Sequence, residues 1–257
     1  MNKQNYLDFL KMDPFKAPDR SYLKRLHERH LFTVPFENLD VRRGIHINLD
    51  LEYLYNKVVV QKRGGLCYEI NRLFAWLLEK LGYQVKICSS GVYDAATNKF
   101  GPEYDHMVLC VYLEETYLVD VAFGDCFRSP VSLTNTYQTD ISSTYRIVPS
   151  DTGKEFYELQ RIEAGKWLPV YRFSTQNHQV SDFKDMALHV SSSEESYHTK
   201  HSICSIATEI GRVTLSDDHL TRTEKGQKIK QEINSRTQFH KELYTYFGID
   251  HRKWNAI

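Results

Sequence analysis

Three side chains of different chemistry occur along the chain in the order thiol, imidazole, carboxylate: Cys67, His106 and Asp120. Cys67 follows an arginine and two glycines (residues 63–65) and stands at the start of a strongly amphipathic segment that predicts a helix. A thiol becomes a strong nucleophile as the thiolate, and both a helix N-terminus and a nearby imidazolium favour that form. A carboxylate that orients the imidazole would complete a nucleophile–base–orienter triad. The order and placement of these residues therefore favour covalent catalysis through Cys67.

Each of these residues also has an ordinary structural interpretation. A free cysteine is more often a small buried apolar residue, His106 is one of eleven histidines, and Asp120 alone fits an outward-facing position on an edge strand. The two glycines permit close backbone approach, whereas the lysine and Ser/Thr of a phosphate-binding loop are absent. We expect Glu37, in the Pro-Phe-Glu-Asn loop, to pair with Arg63 in a buried bidentate contact.

Helical periodicity dominates the first part of the chain. Residues 1–30 have apolar side chains at helical spacing, interrupted by Pro14 and Pro18, and Leu51–Val59 predicts a short helix. Proline and Asx residues predict a loop over Val34–Asp40. The clearest helix is expected from Tyr68 to Leu81, where an apolar stripe recurs at offsets of three and four before Gly82 ends it. This helix would present Cys67 at its start.

Beyond Gly82 the pattern changes to short strands separated by turn residues, as an antiparallel sheet or barrel requires. Strands are predicted at Val85–Cys88, Met107–Leu113, Tyr117–Phe123, Val131–Leu133, Tyr145–Val148, Phe156–Leu159 and Val170–Phe173. Asp120 and His106 can touch only if they lie on the same face of the strand pair, because side chains alternate between faces. The numbers of any two residues that pair across the strands must then sum to an even value. A sum of 228, with the three residues Leu113–Glu115 as the loop, would place Asp120 diagonal to His106.

The last quarter of the chain mixes both patterns. Ile203–Ala207 and Arg212–Leu215 predict a hairpin around Gly211, and residues 225–247 predict a helix because apolar residues recur among alternating charges. The residues thus indicate an order of helical, then β, then mixed structure.

Composition excludes several classes of protein. The 257 residues carry 33 basic and 33 acidic side chains, so no global field favours binding to nucleic acid or an anionic membrane. Apolar runs are far shorter than the roughly 18 residues of a membrane span, and the N-terminus lacks the apolar core of a secretory signal. The five cysteines show neither a CxxC pair nor zinc-ligand spacing. We therefore expect free thiols, no metal and a cytoplasmic location.

Several stretches together resemble the arylamine N-acetyltransferase family. Residues 34–40 (Val-Pro-Phe-Glu-Asn-Leu-Asp) and residues 63–71 (Arg-Gly-Gly-Leu-Cys-Tyr-Glu-Ile-Asn) are specific to it as a pair, and residues 106–109, 117–124 and 211–215 also match. The resemblance extends over about residues 5–247. Leu66 replaces a usual aromatic, Ala122 a usual glycine, and Ser193–His198 lacks the usual proline and phenylalanine. These departures bear on acceptor preference and donor binding.

The resemblance implies an α+β fold with a cysteine-protease-like catalytic core. It implies an N-terminal helical bundle over residues 1–83 that carries the cysteine, a central antiparallel β-barrel over residues 84–182 that carries the histidine and aspartate, and a C-terminal α/β lid over residues 183–257. Carried across by motif, Cys67 is the nucleophile, His106 the base and Asp120 its orienter.

The resemblance also implies substrates and their sites. Acetyl-coenzyme A would be a co-substrate rather than a bound cofactor, and aromatic amines or hydrazines would accept the acetyl group by ping-pong kinetics through an acetyl-cysteine. Phe36 and Phe123 would line the acceptor pocket, with Gly124 near the mouth where the donor enters. No nucleic acid, membrane or metal partner is implied.

Two other functions fit the same residues. A Cys-His-Asp thioester hydrolase or transglutaminase-like enzyme has the three residues in the same order along the chain. The difference lies in whether water or an amine attacks the acyl-cysteine. A non-catalytic binder of small aromatic ligands is the third interpretation. The Pro-Phe-Glu-Asn-Leu loop favours the transferase over the hydrolase, and the intact triad argues against the binder.

Overall fold

The computed structural model describes residues 1–15, 17–134, 137–151, 153 and 155–253. Helices cluster in the first 80 residues and recur after residue 183. They are α1 (Lys3–Phe9), α2 (Arg20–Thr33), α3 (Leu51–Tyr55), α4 (Cys67–Lys80), α5 (Lys184–Ser192), α6 (Tyr197–Lys200) and α7 (Arg236–Phe247). A π-helical turn, Asn56–Val60, continues α3. Helix α4 confirms the strongest helical prediction, and it begins at Cys67 itself.

The strands form two sheets. They are β1 (Phe36–Glu37), β2 (Gln84–Asp94), β3 (Lys99–Phe100), β4 (His106–Tyr112), β5 (Thr116–Val119), β6 (Val131–Ser132), β7 (Gln138–Thr139), β8 (Thr144–Pro149), β9 (Phe156–Glu163), β10 (Lys166–Ser174), β11 (Ile203–Thr208), β12 (Gly211–Ser216), β13 (His219–Glu224) and β14 (Gln227–Glu232). The larger sheet is antiparallel in the order β6-β5-β4-β2-β10-β9-β8-β7, with β3 beside β2. Strands β6 and β8 lie close to each other, so this sheet curls into a nearly closed barrel.

The register of β4 against β5 is the one that the sequence predicts. Leu109 pairs with Val119 and Tyr112 with Thr116, so paired numbers sum to 228 and three residues form the loop. The prediction that Asp120 lies within a strand is wrong, because β5 ends at Val119. The Asp120 carboxylate turns back to accept the Ala122 N–H at 3.0 Å, and this local turn takes the chain out of the ladder.

The smaller sheet has the order β1-β11-β12-β13-β14. Its edge strand β1 comes from the predicted loop over residues 34–40, where Phe36 pairs with Ser205 and Glu37 with Cys204. The hairpin of β11 and β12 is present as predicted. Residues from the start of the chain therefore complete a sheet built near its end.

The predicted helix over residues 225–247 is wrong in its first third. Residues 227–232 form β14, which pairs with β13 through a two-residue turn at Lys225 and Gly226. Both turn residues have positive φ, 48° and 83°, as a hairpin turn matched to strand twist requires. Helix α7 starts only at Arg236, where the Ser235 hydroxyl accepts the N–H of Gln238.

Three apolar clusters hold these parts together. One joins the N-terminal helices to a face of β4 and β5, the second fills the barrel, and the third lies between the smaller sheet and α7. The division into units at residues 83 and 182 stays a prediction. Within the described part of the chain, no helix is both long and apolar enough to cross a membrane.

Candidate active site

The start of α4 is held by close contact between two loops. A Cβ atom on Gly64 would lie 1.9 Å from the Pro35 carbonyl oxygen, so only glycine allows this approach. The Glu37 N–H donates to the Gly65 carbonyl at 3.0 Å, which ties the two segments side by side. The Glu69 carboxylate then caps the helix by accepting the Leu66 N–H at 2.9 Å. Cys67 follows directly and is therefore fixed in position.

A cluster of buried charges lies behind this helix start. Arg63 donates from Nε and Nη2 to one oxygen of Glu37 at 2.8 Å, and also reaches Asp40 at 2.9 Å. Lys57 bridges Asp40 at 2.9 Å and Glu69 at 2.7 Å. The expected pairing of Glu37 with Arg63 thus belongs to a five-residue network. It lacks the two-oxygen fork that sequence reasoning expects, since the other Glu37 oxygen accepts a backbone N–H at residue 39.

Replacing Lys57 by methionine is expected to lower the free energy of unfolding by about 3–5 kcal/mol, because it leaves two buried carboxylates without their shared cation. Urea titration of the folded protein measures the change. Lys24→Met is the matched control, since Lys24 is an exposed residue of α2. Equal losses in the two variants would show that the buried network does not stabilise this region.

Cys67, His106 and Asp120 meet at the junction of α4 and the barrel. His106 opens β4, and its Nε2 lies 2.7 Å from Asp120 Oδ2. The imidazole also interacts with the Cys67 side chain, and Nδ1 is the ring nitrogen that Asp120 leaves free for it. All three side chains are buried, at 7%, 4% and 1% relative exposure in chain order. The structure therefore brings together all three residues that the sequence singles out.

The electrostatics of this trio favour a charged imidazole. Burial by itself lowers the pKa of His106, but the negative charges of Asp120 and Cys67 outweigh it and raise that pKa well above 6.5. Burial likewise raises the pKa of Asp120, and the imidazolium together with hydrogen bonds from Asn71 and Ala122 turns the net shift downward from 3.8. At neutral pH a positive charge therefore lies beside the candidate nucleophile.

These shifts predict how stability depends on pH. The contribution of Asp120 is present above about pH 3.9 and is lost as the pH falls through its lowered folded pKa. The contribution of His106 is present below about pH 6.5 and is lost as the pH rises through its raised folded pKa. The difference in free energy of unfolding between wild type and Asp120→Asn should therefore be largest between about pH 4 and 6.5 and shrink as the pH rises through the raised pKa of His106. Urea titrations across this range measure it, and a constant difference would contradict the ion pair.

Asn71 links the elements that carry the three candidate catalytic residues, and the sequence alone assigns it no role. It lies one helical turn after Cys67 and is fully buried. Its Nδ2 donates to Asp120 Oδ1 at 2.9 Å and to the Met107 carbonyl at 2.7 Å, while its Oδ1 accepts the Val121 N–H at 3.0 Å. A polar residue amid the apolar residues of a buried helix was the available signal, because such a side chain needs partners.

His27 is a second supporting residue that the sequence did not single out. It lies on α2, fully buried, with Nε2 3.0 Å from the Asp120 carbonyl and Nδ1 2.9 Å from the Arg128 carbonyl. Burial lowers its pKa to about 4, against the raising effect of the backbone carbonyls, so it is neutral at physiological pH. A neutral ring donates to one of these carbonyls at a time. Its packing fixes the backbone of Asp120 against α2.

A cavity of about 540 Å³ opens onto Cys67 and His106. Phe36 and Phe123 also line it, and the Phe123 ring packs edge-on against His106 with centroids 5.2 Å apart. Residues of α5 and α6 complete the lining. Gly124, expected near the mouth, does not line this cavity, and its φ of 90° places it in a turn with open space around it.

A second cavity of similar volume, about 520 Å³, lies among Arg42, Arg43 and the start of α7. None of the three catalytic candidates lines it. Among the described residues, no cluster of side chains has the ligand set of a metal site. The chemistry therefore assigns the candidate active site to the first cavity.

Comparison with known proteins agrees with this geometry. A protein family described as N-acetyltransferase matches residues 20–255. The arylamine N-acetyltransferase pineal gland isozyme NAT-3 of Gallus gallus is 29% identical over 240 residues, which cover 85% of this chain and 82% of that protein.

Solved structures are similar over nearly the whole chain. One is an arylamine N-acetyltransferase from Bacillus cereus described as having a unique Cys-His-Glu catalytic triad, with a TM-score of 0.89, 26% identity, and coverage of 97% of this chain and 100% of that one. Another is the Mycobacterium marinum arylamine N-acetyltransferase in complex with CoA, with a TM-score of 0.88, 27% identity, and coverage of 96% and 93%. The same fold thus accommodates CoA in that relative.

Proposed function

The chain belongs to the arylamine N-acetyltransferase family and is a transferase; we propose that it moves an acetyl group from acetyl-coenzyme A to the nitrogen of arylamines, arylhydrazines or similar acceptors. The observation that carries the proposal is a buried cysteine beside an imidazole that a carboxylate holds at 2.7 Å, with the cysteine and the imidazole at the wall of one cavity. Cys67 is the nucleophile, His106 the general base and acid, and Asp120 its orienter.

The first half-reaction loads the enzyme. The Cys67 thiolate attacks the thioester carbonyl carbon of acetyl-coenzyme A, and the bond between that carbon and the coenzyme A sulfur breaks. The departing sulfur takes the proton of the His106 imidazolium, which leaves acetyl-Cys67 and a neutral imidazole. Asp120 keeps Nε2 of the ring protonated throughout, so that Nδ1 faces the reacting sulfur.

The second half-reaction consumes the acceptor. The amine nitrogen attacks the acetyl-Cys67 carbonyl, and the neutral imidazole of His106 removes a proton from that nitrogen. The bond to the Cys67 sulfur breaks, the amide leaves, and the thiolate–imidazolium pair forms again. The Cys67 N–H, at a helix start, would stabilise the oxyanion in both halves.

The shape of the cavity supports an aromatic acceptor. Phe36 and Phe123 give it two apolar walls beside the sulfur, and aromatic rings stack favourably on such side chains. We place Gly124 near the route by which the donor enters, since its surroundings are open. The CoA complex of the Mycobacterium marinum relative supports the choice of donor.

The test is the intact mass of the protein after brief exposure to acetyl-coenzyme A without an amine. A gain of one acetyl group that an arylamine removes quickly, and water only slowly, is the expected result. Rapid loss in buffer alone would instead identify a thioester hydrolase. Absence of any adduct would remove acetyl-coenzyme A as donor and leave a binding protein as the remaining interpretation.

A further inference from the structure

His198 lies in the wall of the candidate active site. It belongs to the short helix α6 and lines the same cavity as Cys67 and His106. Its ring packs edge-on against Phe36, with centroids 6.1 Å apart. Its carbonyl accepts Asn38 Nδ2 at 3.0 Å, and its N–H donates to the Ser196 hydroxyl at 3.2 Å. The backbone is therefore held while the ring forms part of the pocket.

No hydrogen bond joins the ring nitrogens of His198 to the part of the chain that the structure describes. Nδ1 is enclosed and has no hydrogen-bond partner among the described residues. The hydrogen bonds of this residue are made by its backbone, in contrast to His106, whose ring contacts both Asp120 and Cys67. Among the described residues no neighbour fixes the tautomer of His198, so Nε2, which is not enclosed in the same way, can present a donor or an acceptor to a bound molecule.

Burial lowers the pKa of His198 to about 4, so the ring is neutral at physiological pH. A neutral imidazole offers one N–H donor and one nitrogen acceptor but no positive charge. It suits a hydroxyl group, which both donates and accepts, better than a carboxylate. Asp105 lines the same cavity and adds a negative charge that disfavours a second carboxylate.

Two hydroxyl groups of residues that line the cavity already have hydrogen-bond partners in the protein. The Tyr68 hydroxyl lies within hydrogen-bond distance of the Tyr104 and Asp105 carbonyls, at 2.9 and 2.8 Å. The Ser196 hydroxyl donates to the Val190 carbonyl at 2.8 Å. His198 is thus a polar side chain of this wall with hydrogen-bonding capacity left for a ligand.

We propose that His198 determines acceptor specificity by hydrogen-bonding a hydroxyl substituent on the aromatic ring of the acceptor. This rests on the proposed acetyl transfer and narrows its substrate class to hydroxyl-bearing arylamines, the aminophenols. Methyl-substituted amines would leave the imidazole unpaired inside the cavity, and carboxylate-substituted amines would meet the charge of Asp105. The apolar contacts of Phe36 would serve all three classes equally.

The experiment compares kcat/KM for 3- and 4-aminophenol with that for the methylanilines of the same substitution pattern and for 4-aminobenzoate. Wild type should prefer an aminophenol, and His198→Phe should lower its advantage over the matching methylaniline about tenfold, mainly through KM. His198→Asn, which keeps a donor and an acceptor, should retain part of the preference. His201→Phe is the matched control, since His201 is exposed and does not line the cavity.

Acetylation of Cys67 by acetyl-coenzyme A, measured in the same samples, tests the proposed acetyl transfer separately from the role of His198. Wild type that takes up no acetyl group refutes the proposed transfer itself. Normal acetylation with the same aminophenol preference in wild type and His198→Phe overturns the role of His198 alone. If His198→Phe is not acetylated, His198→Asn and His198→Gln are compared with wild type instead. An unchanged preference for the aminophenol in both variants overturns the role of His198.

Discussion

Replacing Cys67 by alanine is expected to abolish acetyl uptake and to lower kcat/KM for arylamine acetylation by roughly 10⁴-fold or more. The proposed mechanism passes every acetyl group through this sulfur, so the variant retains only what binding and the oxyanion site supply. Protein mass after incubation with acetyl-coenzyme A and steady-state turnover of an arylamine measure the two effects.

The matched control is Cys204→Ala. Cys204 is also a buried free cysteine, but it lies on β11 in the core of the smaller sheet. This variant should take up one acetyl group like wild type. Acetyl uptake by Cys67→Ala, or its loss in both variants alike, would contradict the assignment of the nucleophile.

Asp120→Asn is expected to lower the rate of Cys67 acetylation by about 10³- to 10⁴-fold. Oδ1 of this residue accepts from Asn71 and from the Ala122 N–H, so the carbonyl oxygen of the new amide takes that position. The amide nitrogen then faces His106 Nε2 and donates to it. This forces the ring proton onto Nδ1, where the imidazole can no longer accept a proton from Cys67 or from the amine.

The charge-preserving variant Asp120→Glu separates this effect from loss of packing. A carboxylate one methylene longer still accepts from His106, and a relative from Bacillus cereus is described as using a Cys-His-Glu triad. We expect Asp120→Glu to be acetylated faster than Asp120→Asn in single-turnover experiments. Equal rates in the two variants would mean that the charge and tautomer argument is wrong.

The strongest local patterns in the sequence predict the helix and the strand pair that carry the site. The apolar stripe that ends at Leu81 predicts α4 because one face of that helix is buried along its whole length. The register of β4 and β5 follows from a parity argument, since contact between His106 and Asp120 excludes every odd sum.

The hairpin of β13 and β14 escaped prediction because its edge strand has no apolar face. All six residues of β14 are exposed, including Ile229 at 47%. Ile229 and Ile233 are spaced like one helical turn, yet only Ile233 is buried. Periodicity carries no information about a strand whose two faces both meet water.

The supporting residues of the site were missed for a different reason. His27 contacts the Asp120 carbonyl across 93 residues and the Arg128 carbonyl across 101. His198 lines the pocket, and Asn38, 160 residues away in the chain, donates to its carbonyl. Side chains that bond distant carbonyls leave no spacing pattern, because the partner is a backbone atom that every residue possesses.

Asn38 joins two segments of the site that are far apart in the chain. Its side chain holds the His198 and His201 carbonyls and the Ile203 N–H, a closure across as many as 165 residues. Cys67, His106 and Asp120 all lie within the first 120 residues and leave the ribosome earlier. During translation Asn38 therefore emerges long before the backbone groups that its side chain binds, and this part of the cavity wall can close only after Ile203 has been synthesised.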